Sequence, residues 1–222
     1  MARLTRTEQR AQTRADLLVA ARDRFLEVGY AAASLEDIAD RAGYSKGAVY
    51  SNFVDKPNLC REVLQAIHEE KAAEIEALAT APGHVSDRID TFSDWVERTL
   101  GDVGWTMLEL EFMVVARNDP ELRAMAVALR NSLRQAVVDG LKGLLDAENP
   151  GAVDGEQVEY AADLMLSAGV GMGIHRALDP TIPTGSLVAS LRSGYTKPLN
   201  IEFMQSLSRP RTRIIFRLLD AM

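Results

Sequence analysis

Residues 34–56 read SLEDIADRAGYSKGAVYSNFVDK, a pattern that folds as two very short helices joined by a tight turn. Ser34 is an N-cap residue whose hydroxyl accepts a backbone N–H of the first turn, and Asp37 stands at the spacing that completes a capping box. Ile38, Ala39 and Ala42 then form one small apolar face, and Gly43 falls where a helix C-terminus takes a left-handed residue. Ser45 caps a second helix beginning at Lys46, with Val49, Tyr50 and Phe53 as its apolar set. Small residues at 39, 42 and 43 allow the two helices to approach closely, which is the geometry of a helix-turn-helix. In such a unit the second helix lies in the major groove of DNA while the first crosses the backbone. Lys46, Gly47, Ala48, Ser51 and Asn52 are the short or polar groups it would turn outward. The same spacing also suits an αα-corner buried in a helical bundle.

The residues themselves favour the first reading. The run resembles the DNA-binding motif of the TetR family of transcriptional regulators, matching its pattern at Ser34, Ile38, Ala39, Ala42, Gly43, Ser45, Gly47, Val49, Tyr50, Phe53, Lys56 and Leu59. It departs at Asn52, where members often carry His or Tyr, and at Ser34, where Thr is commoner. The resemblance implies that Ser34, Tyr50 and Lys56 meet phosphates and so set register rather than sequence. Base edges would fall to Lys46 (guanine), Ala48 (a thymine methyl), Tyr44 and Asn52, with Ser45 capping the helix and Gly47 admitting close backbone approach.

The chain has 222 residues, 47% hydrophobic and 26% charged, the composition of a globular protein with a proper core. No early apolar segment and no apolar run near about 18 residues is present, so neither a signal peptide nor a membrane span is expected. The single cysteine, Cys60, excludes an intrachain disulfide, suits a reducing cytoplasm and reads as a small core hydrophobe. A net charge of −7 speaks against a nucleic-acid partner until its distribution is considered. Residues 1–56 hold nine Lys and Arg against eight Asp and Glu, whereas the remainder holds sixteen against twenty-four. A phosphate backbone senses local charge, because screening acts over about 8–10 Å. Arg3, Arg6, Arg10 and Arg14 face only Glu8 in the first fourteen residues, so this arm is either a DNA contact or a solvated terminus.

Taken in order, Thr7 to Val28 read as a first helix carrying Leu17, Leu18, Ala21, Phe25 and Val28, closed by Gly29. Phe25 and Leu18 are expected to pack on Ile38 and Phe53, giving a three-helix head too small to stand without support. Asp55 and Pro57 open the next helix, which runs to about Ala79 and by the resemblance connects head to body. Four further helices follow at 85–101, 105–117, 120–147 and 155–178, separated by Gly, Pro, Asn and Asp clusters. No strand-like alternation occurs. The expected fold is all-α, with a DNA-binding head over 1–56 and a ligand-binding and dimerisation bundle over 57–195. A short helix is expected near Ser186 to Ser193. The basic, partly amphipathic tail 196–222 reads as a disordered end, a membrane-surface helix, or an added dimer or DNA contact.

The segments 111–123 and 175–180 also look like TetR-type ligand-binding domains, the second ending the helix that enters the dimer interface there, and the resemblance covers about residues 10–195. On the helices that line the effector pocket in that family lie Phe92, Trp95, Trp105, Met107, Leu108, Phe112, Met113, Met165 and Met172. Singly each reads as core; together they suggest a mostly apolar cavity with few polar anchors. Glu109 and Glu111 interrupt this set: one should face solvent, and an inward one needs a cationic or hydrogen-bonding partner. His68, His84 and His175 lack metal-ligand spacing, and Gly169–Gly173 has neither the strand nor the Lys-Ser/Thr of a nucleotide loop. Its glycines fit close helix contact instead. No metal, cofactor or enzymatic centre is expected. The sequence therefore reads as a homodimeric, ligand-responsive repressor of a palindromic DNA operator. A same-fold activator, or an all-α carrier or enzyme with a merely structural helix-turn-helix, remains the alternative.

Overall fold

A computed structural model of the chain describes residues 5–99, 102–146 and 154–185. These contain eight helices: α1 (Arg6–Ala32), α2 (Leu35–Ala42), α3 (Lys46–Asn52), α4 (Lys56–Thr80), α5 (Val85–Thr99), α6 (Val103–Ala116), α7 (Pro120–Asp146) and α8 (Gly155–Leu178). The fold is all-α, as the sequence indicates. Contacts group the chain into two units that meet at Ile182 and Pro183, and the described helices all belong to the first. The expected head–body boundary after residue 56 falls inside that unit, at the first turn of α4. The expected helix at 186–193 and the tail 196–222 lie outside the described residues.

Side-chain caps decide where most helices begin. Thr5 and Glu8 form a reciprocal capping box at α1: Glu8 N–H donates to Thr5 Oγ1 at 3.3 Å and Thr5 N–H to Glu8 Oε2 at 2.6 Å. Asp55 accepts from Asn58 N–H at 2.8 Å to start α4, and Asp102 accepts from Trp105 N–H at 3.1 Å to start α6. Asp119 takes two N–H groups of the first turn of α7, and Asp154 one of α8. Each satisfies donors that a helix N-terminus leaves unpaired. The first helix differs from expectation. Gly29 adopts φ 81°, which breaks the regular helix, but the chain makes one more turn before Ala33 N–H closes on Gly29 O at 3.4 Å.

Packing joins the head to the body through one core. Leu17, Ala21 and Phe25 of α1 pack with Ile38, Ala39, Val49 and Phe53 of the motif, with Leu59, Val63 and Ile67 of α4, and with Leu108 and Phe112 of α6. Leu17 rather than Leu18 is fully buried; Leu18 covers the edge of this cluster. Cys60 is buried within it, and burial pushes its thiol pKa well up. A second cluster joins Ile75 of α4 to Leu133, Val137 and Val138 of α7 and Val158 and Ala162 of α8.

Two helix contacts are close enough to need glycine. Gly173 of α8 faces Thr106 of α6, and Gly140 of α7 faces Ile75 of α4; a Cβ at either would lie under 3.0 Å from the opposing side chain. The expected close contact of the Gly169–Gly173 run is therefore realised at Gly173, whereas a Cβ at Gly171 would meet nothing within 4 Å. Gly140→Ala is expected to destabilise the chain by about 1–3 kcal/mol in urea unfolding, the usual penalty for overpacking a core. The nearest atom is the β-branch Cγ2 of Ile75, so adding Ile75→Leu should recover much of that loss.

Candidate nucleic-acid interface

The α2–turn–α3 unit is built as its residues require. Ser34 Oγ accepts from Asp37 N–H at 3.0 Å, but Asp37 does not complete the expected capping box, because its carboxylate pairs with Arg24 Nε of α1. Gly43 takes the left-handed conformation at φ 76°, and Tyr44 N–H then donates to Ala39 O at 2.9 Å. Ser45 occupies the N-cap of α3 without a cap hydrogen bond from its side chain, leaving its hydroxyl at the surface. Lys46 is exposed beside Glu36, with Nζ 3.3 Å from the carboxylate. Such a pair contributes only about 0–1 kcal/mol in water, so the ammonium exchanges partners readily. Gly47 is open, with Ser45 Oγ 3.7 Å from where a Cβ would stand, and Tyr50 is 54% exposed.

Other expected contacts are turned inward. Tyr44 donates its phenol O–H to Asp16 of α1 at 2.8 Å, which binds it to the head instead of presenting it to a base. Asn52 donates Nδ2–H to Ala48 O at 2.8 Å, and its Oδ1 is buried. Ala48 itself is half-buried against the core. Lys56 donates from Nζ to Ala31 O at 3.2 Å and lies 4.5 Å above the Tyr30 ring. Burial lowers the pKa of this ammonium. The outward set is thus Ser34, Ser45, Lys46, Gly47 and Tyr50.

The arm residues have a role that charge counting did not reveal. Arg10 donates to Ser51 O at 3.1 Å and Arg14 to Asn52 O at 2.5 Å, so α1 supplies two guanidinium groups to the last carbonyls of α3. Arg14 also pairs with Glu62 of α4, and its guanidinium sits 4.4 Å over the Phe53 ring. Cations at a helix C-terminus satisfy orphan carbonyls and oppose the helix dipole. The helical spacing of residues 10, 14 and 17 was the available signal: Arg14 lies one turn before buried Leu17 and shares its face. Arg6 is exposed in the first turn of α1, and Arg3 is outside the described residues.

In the body, the expected pocket residues divide among several places. Leu108 and Phe112 belong to the core shared with the head, whereas Trp95 and Met165 border the second cluster and Trp105 touches both. Phe92 is buried and stacks on Trp95 at 5.8 Å; Met107 and Met172 are half-buried and Met113 is exposed. A cleft of about 440 Å³ is lined by Lys71, Glu74, Ala77, Leu78, Trp95, Arg98, Thr99 and Asp102. Only Trp95 of the expected set reaches it, through an indole N–H that donates to Glu74 at 2.6 Å, and Lys71, Glu74, Arg98, Thr99 and Asp102 bring polar groups among its apolar walls.

Both acids of α6 have protein partners. Glu109 pairs with Nε2 of His68, whose Nδ1 lies 3.1 Å from Leu129 O and whose ring meets the Trp105 ring edge-on at 5.7 Å. His68 is 5% exposed, and its two ring nitrogens lie against Glu109 and Leu129 O. Glu111 turns the other way, accepting from Ala31 N–H at 2.7 Å. Neither carboxylate therefore waits for a ligand. Among the described residues no cluster of His, Cys, Asp or Glu is placed to hold a metal, and no helix is long and apolar enough to cross a membrane.

Residues 17–63 match the family described as bacterial regulatory proteins, tetR family. FasR, an HTH-type transcriptional activator of Mycolicibacterium smegmatis, is 36% identical over 99 residues, 43% of either chain. AcnR, an HTH-type transcriptional repressor of Corynebacterium glutamicum, is 30% identical over 125 residues, 56% of this chain and 62% of AcnR. The chain thus spans less than two thirds of the length of these relatives. In fold it resembles the transcriptional regulator FadR of Bacillus subtilis, solved in complex with stearoyl-CoA. That likeness has a TM-score of 0.60 over 81% of this chain and 96% of FadR, at 16% identity, and is one of fold alone. Both relatives are named as transcriptional regulators, one an activator and one a repressor. Through its helix-turn-helix and the residues around it, the chain carries a region that matches the tetR family of bacterial regulatory proteins.

Proposed function

We propose that the chain is a ligand-responsive transcriptional repressor that binds a palindromic operator as a homodimer, with 1–56 reading DNA and 57–195 binding the effector and a second copy. The observation that carries this reading is the outer face of α3, where Ser45, Lys46, Gly47 and Tyr50 are exposed on a helix tied down at its far end by Arg10 and Arg14. Lys46 reads a base edge, Ser34 and Tyr50 hold phosphates, and Gly47 lets the backbone approach. Ala48 offers its methyl from a half-buried position. The similarity to FasR supports a second reading in which the same DNA contact activates transcription.

The homodimer is supported by α8. Tyr160, Leu164, Ile174 and Leu178 recur on one face of this helix, with Leu164 55% and Leu178 84% exposed. An apolar stripe of this kind is suited to a second copy of the same helix. Arg134 of α7 braces α8 from the side through Asp163 at 2.8 Å and Glu159 at 3.3 Å. Two heads in such a dimer reach successive major grooves about 34–36 Å apart. The cleft around Trp95, ringed by Lys71, Glu74, Arg98 and Asp102, supports a small effector with polar groups beside its apolar part. An effector of this kind acts by its differential affinity for dimers with well-spaced and badly spaced heads. The protein works in the cytoplasm, where a bacterial operator lies.

Selection of bound duplexes from a random pool by the purified protein tests the reading, and an enriched palindrome is the expected outcome. On that duplex, Lys46→Ala should weaken binding by about 1–3 kcal/mol and relax preference at one base pair. Tyr50→Phe should weaken all sequences alike by about 1 kcal/mol. Equal losses on every sequence from both variants would show that Lys46 does not read a base. Leu164→Glu should shift the protein from dimer to monomer in sedimentation and abolish preference for two half-sites over one.

A further inference from the structure

Ala31 lies just past the break in α1, and both halves of its backbone are held by helices of the body. Its N–H donates to Glu111 Oε2 of α6 at 2.7 Å, and its C=O accepts from Lys56 Nζ of α4 at 3.2 Å. The break exists because Gly29 turns to φ 81°, and the same glycine makes room for the carboxylate: a Cβ there would stand 2.5 Å from Glu111 Oε1. Tyr30, between them, stacks on Phe25 of the head core at 5.9 Å and carries the Lys56 ammonium on its other side. One short turn is therefore gripped by α6 and α4 at once, while its neighbour is anchored in the head.

We propose that Glu111 is a positioning residue for DNA reading, which together with Lys56 clamps the Ala31 backbone and fixes the angle at which the head leaves the body. The inference rests on the operator-binding reading above and deepens it by naming where the body sets the spacing of the two heads. It also gives Lys56 a role different from the phosphate contact implied by the motif: its ammonium is held by Ala31 O and the Tyr30 ring. A carbonyl oxygen at 111 suffices to accept the Ala31 N–H, so glutamine should replace glutamate in this role where alanine does not.

The test uses the full chain, amide hydrogen exchange, and two duplexes: the one enriched from the random pool and a copy with one base pair inserted between its half-sites. Glu111→Ala should raise exchange of residues 29–33 at least tenfold, leave α7 and α8 protected as before, and reduce discrimination between the two duplexes about tenfold. Glu111→Gln should stay within twofold of the parent in both. Lys56→Met should weaken duplex binding without changing the slope of log K against log salt. The clamp is overturned if Glu111→Ala leaves exchange at 29–33 unchanged, if exchange rises equally throughout the chain, or if duplex discrimination survives intact. A fall in salt slope of about one unit for Lys56→Met would return that lysine to the phosphate backbone and overturn its half of the clamp. If no duplex is enriched by the parent protein, the operator reading fails by itself, and the clamp falls with it only where exchange at 29–33 is also unmoved.

Discussion

A helix of seven residues is nearly all ends. Its first N–H groups and last C=O groups lack internal partners, and nucleating so short a segment in isolation is unfavourable. The second helix of the motif, α3, has this length, and only Val49 is buried along it. Its order is therefore imposed from outside: Phe53 and Val49 sink into the core, Gly43 sets the turn before it, and Arg10 and Arg14 hold its last carbonyls. The rest of the molecule follows from this dependence. A head that cannot stabilise so short a helix by itself must lean on α4 and α6, and one core accordingly takes in both Ile38 and Phe112.

Charge is used with the same economy. Among the described residues of the acidic body, several carboxylates reach groups on other helices. Glu109 meets His68 across α4 and α6, Glu74 gathers the Trp95 N–H and Lys71, and Glu111 reaches an amide of α1. A buried or half-buried carboxylate without a partner is strongly disfavoured. Apart from the Glu74–Lys71 pair within α4, each of these contacts also joins two elements, so polar satisfaction and helix arrangement are one problem in this fold. The indole Nε1 of Trp105 is the exception among these central groups, being buried without a hydrogen-bond partner.

Much of this was legible in the sequence where the causes are local. Helix starts followed from Ser34, Asp55 and Asp119, because a cap and its N–H groups lie within a turn of each other, whereas Asp102 and Asp154 cap from stretches that read only as breaks. The left-handed turn at Gly43 was equally plain. What resisted reading was every interaction whose partner is distant in the chain. The acid Glu111 answers an amide 80 residues away that becomes free only because Gly29 breaks the helix there. Tyr44 and Asn52 look like DNA contacts in one dimension, but Asp16 and Ala48 O claim their polar groups in three. Of the apolar residues assigned to a single cavity, Phe92, Leu108 and Phe112 are interior and Met113 is exposed, and periodicity does not say which of two clusters receives Leu108 or Met165.

Cys60 carries a practical consequence. It is the single cysteine of the chain, is fully shielded between α4 and its neighbours, and holds a thiol whose ionisation is suppressed by burial. Only the thiolate reacts at a useful rate with maleimides or methanethiosulfonates. The unaltered protein is consequently a silent background for chemical labelling. A cysteine introduced on an exposed position of the head, such as Ser51, becomes the one addressable thiol per copy, and in the proposed dimer a pair of spin labels or fluorophores placed there would turn head separation into a distance read directly in solution.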